Sequence, residues 1–166
     1  MRTLLTLALL SLIHFTSFSN GICVVDAEEG LYLQLNRSDV RVTANGQIAT
    51  VTATQVFFNH LEEPTQVKYA FPLSETASAT SLRWNNNGEW FEAEFSPTPQ
   101  DTTLPGGGGT GPSFAELIRN YLGASPLYFD LEQEVAAGAE LTVELTYVDL
   151  LPYAFNKVEF FLQNDY

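Results

Sequence analysis

Residues 48–73, IATVTATQVFFNHLEEPTQVKYAFPL, decide how the rest of this chain is read. Ala49, Val51, Ala53 and Phe57 fall on one side of a period of two. Thr50, Thr52 and Thr54 fall on the other, with Ile48, Val56 and Phe58. Such alternation marks a long strand with one buried face and a second face partly so. The strand ends on Asn59, whose short amide side chain is suited to bonding the backbone of a following turn. After an acidic turn closed by Pro64, Val67, Tyr69 and Phe71 restart the alternation. Pro72 stops it, because it has no amide proton to give to a ladder.

Working outward, Leu31–Leu35 and Asp39–Thr43 alternate as two short strands, and Asn45-Gly46 is the tight turn that hands over to Ile48. Leu82–Trp84 and Trp90–Phe95 flank Asn85-Asn86-Asn87-Gly88, residues that tolerate the positive φ of a hairpin turn. Residues 96–112 break all periodicity with Pro97, Pro99, Pro105 and the run Gly106 to Gly109, and read as a mobile surface loop. Ser113 and Glu116 have capping-box spacing, and Phe114, Leu117, Ile118, Tyr121 and Leu122 follow at helical spacing up to Gly123. Leu127, Phe129 and Leu131 alternate again, then Leu141 to Tyr147 after the Ala137-Gly138 turn, and finally Val158, Phe160 and Leu162. Nine strands and one short helix predict a mainly β protein, an antiparallel β-sandwich with one short helix. A closed barrel is the alternative.

The chain has 166 residues and is 45% apolar, enough for one domain with its own core. Its formal charge of −13 repels phosphate backbones and anionic headgroups, which argues against nucleic acid and against peripheral membrane binding. Arg2, the uncharged stretch Thr3–Phe18 and the small residues of Ser17-Phe18-Ser19 or Ser19-Asn20-Gly21 have the layout of a secretory signal peptide over residues 1–21. The protein is therefore expected to be secreted or held in the cell envelope, with an uncleaved anchor as the alternative. Residues 22–29 are taken as an N-terminal junction and residues 30–166 as the domain. Cys23, the single cysteine, then sits in the flexible junction or pairs with another molecule.

From Ala49 to Asn59, through Pro64 to Tyr69-Ala70-Phe71-Pro72-Leu73, the chain resembles the vault/inter-alpha-trypsin (VIT) domain. The hairpin of Trp84 and Trp90, the helix with Ala115 and Tyr121, and Val135-Ala136-Ala137-Gly138-Ala139-Glu140-Leu141-Thr142-Val143 leading to Tyr147 extend the likeness over about residues 30–163. Each of these pieces has a folding role. The resemblance implies a non-enzymatic interaction or assembly module, the N-terminal part of a larger adhesion-like protein. In the family a von Willebrand factor A domain often follows; its Asp-x-Ser-x-Ser adhesion motif does not occur here. The sequence ends straight after a predicted strand, which predicts a fragment that continues past Tyr166. The implied partner is another protein or a downstream domain of the same protein.

The residues that chemistry would need are not grouped. His14 lies in the leader and His60 in a turn, and no Gly-x-Ser-x-Gly elbow is present. The glycine run lacks the lysine of a phosphate loop. Glu92 with Glu94 and Glu132 with Glu134 have the parity of solvated strand faces. No catalytic residue, metal ligand or cofactor is therefore predicted. Trp84 and Trp90, facing each other across the hairpin, are the predicted contact residues for a partner. A carbohydrate-binding module using these tryptophans and nearby tyrosines is the first alternative, and a glycan hydrolase fragment using the paired glutamates the second.

Overall fold

The computed structural model describes residues 20–95, 100–106 and 114–160. The predicted leader before residue 20, the predicted loop residues 96–99 and 107–112, the predicted Ser113 cap and the chain beyond 160 lie outside the described residues.

Two antiparallel sheets face each other. The larger is built from β3 (Gln34–Asn45), β4 (Ile48–Phe58), β6 (Ala77–Asn86), β7 (Glu89–Glu92) and β9 (Glu140–Leu150), in the order β3-β4-β9-β6-β7. The smaller contains β1 (Ile22–Asp26), β2 (Leu31–Tyr32), β5 (Thr65–Phe71) and β8 (Leu127–Val135), in the order β2-β1-β5-β8. The predicted sandwich is thus the fold.

The alternation read from 48–73 sets the core. Ala49, Val51, Ala53 and Phe57 of β4 are all buried, and β9 answers in register with Leu141, Val143 and Leu145. Val67, Tyr69 and Phe71 of β5 and Leu127 and Leu131 of β8 close the core from the other sheet. A second apolar layer lies outside the smaller sheet. There α1 (Phe114–Leu122) lays Ala115, Ile118 and Leu122 over Val24, Ala70 and Tyr128. The stripe is narrower than its sequence pattern, because Leu117 points to solvent. Gly123 ends the helix at φ +74°, donating its N–H to the Arg119 carbonyl at 3.1 Å.

Several expectations need correction. The two short strands at 31–35 and 39–43 are instead the brief β2 and the long β3, which carries a bulge between Leu35 and Arg37. Residues 22–29 are not a junction outside the domain: β1 pairs with both β2 and β5, near the middle of the smaller sheet. Cys23 is consequently neither flexible nor available to another molecule. It is fully buried, and burial pushes its thiol pKa well up, away from the reactive thiolate.

The described part of the proline- and glycine-rich segment is also fixed. Leu104 is buried, the Pro105 carbonyl accepts the Ala27 N–H at 2.7 Å, and the Gln100 side chain accepts the Tyr128 N–H at 3.0 Å. Lys68 holds this strap from beneath. Its ammonium, 3% exposed, donates to the Thr103 carbonyl at 2.7 Å and pairs with Asp101 at 3.0 Å and Asp130 at 3.3 Å. Gly106 crosses Asp26 so closely that a β-carbon would strike its carboxylate. Of the predicted last strand, which runs on past the described residues, the described part holds β11 (Lys157–Val158), paired with β10 (Tyr153–Ala154) around a Phe155-Asn156 turn.

Candidate functional site

The β6–β7 hairpin turns on Asn87 (φ 54°) and Gly88 (φ 87°), and the Gly88 N–H donates to the Asn85 side chain at 3.1 Å. This two-residue turn fixes the register: Trp84 lies opposite Phe91, and Asn85 opposite Trp90. Side chains on a strand alternate between faces, so Trp84 and Trp90 point to opposite sides of the sheet. The expectation that they face each other is corrected by this register, and they form no common platform.

Trp84 belongs to the core. It is 4% exposed, its indole N–H donates to the Gln133 side chain at 2.9 Å, and it packs between Phe91 and Phe129 with centroids 5.8 and 5.7 Å away. Trp90 lies on the outer face, 50% exposed. The Arg83 guanidinium covers one side of its ring at 4.7 Å. Glu144 grips Arg83 through Nε and Nη2, both at 2.7 Å, and this hydrogen bond raises the arginine pKa still further. Arg83, itself fixed by Glu144, therefore covers one side of an indole that stays half exposed. A cation–π contact at an exposed site contributes about 0.5–1 kcal/mol, so Arg83 serves chiefly to orient the ring.

The other residues singled out in the sequence are dispersed. His60 is exposed in the β4–β5 turn. Glu92, Glu94 and Glu132 line one groove between β7 and β8, while Glu134 takes no part in it. Among the described residues no three His, Cys, Asp or Glu side chains come together in a metal-holding group. No described helix is long and apolar enough to cross a membrane.

Sequence reasoning missed two polar constructions. The first is the Lys68 strap; the signal was a lysine between two core residues, Val67 and Tyr69. The second is a buried chain of hydrogen bonds around Gln55, which is fully buried. Its Oε1 accepts from the Tyr69 hydroxyl at 2.7 Å and from the Gly21 N–H at 3.2 Å, and its Nε2 donates to Asn20 Oδ1 at 3.2 Å. Burial is the main reason the Tyr69 pKa is pushed well up. Both constructions serve the fold.

Compared with known proteins, residues 35–103 match the family model of the Vault protein inter-alpha-trypsin domain. No curated protein and no solved structure matches the chain.

Proposed function

Because this chain carries a VIT domain, we propose that it works as a non-enzymatic interaction and assembly module, the front part of a larger adhesion-like protein. The leader-like start supports a secreted or cell-envelope setting. The observation that carries the reading is Trp90, a large ring left half exposed and clamped by the Arg83–Glu144 pair. A rigid amphipathic ring offered to solvent on a hairpin is the usual anchor of a protein contact. The partner is another protein or a downstream domain of the same one.

The carbohydrate reading is weakened by the hairpin register, which leaves a single half-covered indole where two stacking rings were expected. A glycan array probed with the folded domain separates the two. The proposal expects no glycan whose binding depends on Trp90. A glycan bound tightly by the wild type and lost in Trp90→Ala would replace the protein partner with a sugar. Cell fractionation tests the setting: the protein is expected in the secreted or envelope fraction, and a purely cytosolic pool would refute it.

A further inference from the structure

The geometry points to a second contact site on this domain: the groove between β7 and β8 takes an extended, lysine- or arginine-bearing segment of a protein partner. This deepens the reading of the domain as an interaction module and rests on it, but Trp90 does not line this groove.

β7 is the last strand of the larger sheet and β8 the last strand of the smaller one, and among the described residues a groove lies between them. The opening is a groove of about 420 Å³. Its floor is aromatic: Phe91 and Phe129 flank Trp84 and are themselves only half-buried. The polar atom of that floor is already satisfied, since the Trp84 indole N–H is bonded to Gln133. What the floor offers an occupant is ring faces, which attract apolar groups and cations alike.

The rim decides between these. Glu92 and Glu94 stand on the β7 side, Asp130 and Glu132 on the β8 side. The neighbouring cations are engaged elsewhere: Arg83 is gripped by Glu144 and lies over Trp90, and Lys68 is buried beneath the strap with Asp101 as well as Asp130. Asp130 already has Lys68 as its counter-charge, but a neutral sugar filling the groove would desolvate Glu92, Glu94 and Glu132 without a paired cation, which is costly. A cationic segment supplies the charge and keeps its aliphatic stems on the rings. Both walls are edge strands of their sheets, which favours a partner in extended form.

The test uses the folded chain and a synthetic peptide of alternating lysine and valine, with glutamate–valine and serine–valine peptides as controls. The lysine peptide is expected to shift the Trp84 indole N–H and the Phe91 and Phe129 ring resonances, and to lose affinity as salt rises. The double change Glu92→Gln, Glu94→Gln removes charge without disturbing packing, and should weaken binding about threefold to tenfold. Trp90→Ala should leave this binding unchanged, even where it abolishes the contact proposed for the hairpin. Equal binding of the serine peptide, shifts scattered over the acidic surface, an unaffected double variant or loss of binding in Trp90→Ala would each overturn the proposal.

Discussion

Asn59 ends β4 with its side chain fully buried and every polar atom used. Its Oδ1 accepts the Leu61 N–H at 3.0 Å, while Nδ2 donates to the carbonyls of Glu63, Val135 and Ala136 at 2.9 to 3.2 Å. Its backbone adds bonds to Ala139 and Gly138, so one residue ties the β4–β5 turn to the β8–β9 turn. Asn59→Asp keeps the acceptor and deletes the donor, setting an anion against three carbonyls. It should cost about 2–3 kcal/mol, read as a lower denaturant midpoint at unchanged slope. A loss below about 0.5 kcal/mol would mean that the turns stand without it. Gly21 is constrained differently: a β-carbon there would lie 2.5 Å from the Tyr69 ring. Gly21→Ala should therefore destabilise by about 1–3 kcal/mol through overpacking, measured by thermal unfolding. The role of Asn59 was legible in the sequence, because an Asn closing an alternating strand has a local bonding partner. Gln55 was not: it occupies an inward position beside Ala53 and Phe57, and its partners come from residues 20, 21 and 69, which no local pattern connects.

Among the elements, those whose burial follows a local period were readable: β4, β5, β9 and the apolar side of α1. β1 escaped because Ile22-Cys23-Val24 is a short apolar run with no period of its own, next to the predicted leader. The strap at 100–105 escaped because its order is imposed from below by Lys68 rather than by its own composition. Lys68→Met should release it. Hydrogen exchange at the Ala27 and Tyr128 amides is expected to quicken while that of β4 and β9 holds, and uniform quickening would show that the lysine supports the whole core instead. The same strap carries a pH signature. A hydrogen bond from the Thr103 backbone, then Lys68, lowers the Asp101 pKa to about 2. A carboxyl depressed in the folded state stabilises it above its ordinary pKa, and that stabilisation is lost as the pH falls towards about 2. Unfolding midpoints taken from about pH 5 down to about pH 2 should fall less steeply in Asp101→Asn than in the wild type; identical slopes would show that the pairing is absent in solution.

Taken as a whole, the molecule is a sandwich with a third, partial layer, and only the first of these facts was written in periodicity. Which strand lies beside which, and hence which faces stay open, depends on non-local pairing. The fate of the two tryptophans shows it: their spacing suggested a pair, and a turn two residues long put them on opposite faces. The N-terminal edge of the domain also follows from tertiary bonds. Asn20 and Gly21 are anchored to Gln55, and the Tyr121 hydroxyl donates to the Asn20 carbonyl at 2.6 Å. A chain beginning at Ile22 loses the bonds of Gln55 to Asn20 and Gly21 that a chain beginning at Asn20 keeps. The shorter chain should melt earlier, and equal melting points would remove these residues from the domain. The central claim, that the clamped Trp90 face is where a protein partner binds, is tested most directly by placing a photo-crosslinking amino acid at position 90 of the protein in its native host. The account predicts a cross-link to a defined protein segment, in another chain or further along the same one, that added wild-type domain competes away and Trp90→Ala domain does not. A yield no higher than from a cross-linker placed at the exposed Ile48 would contradict it.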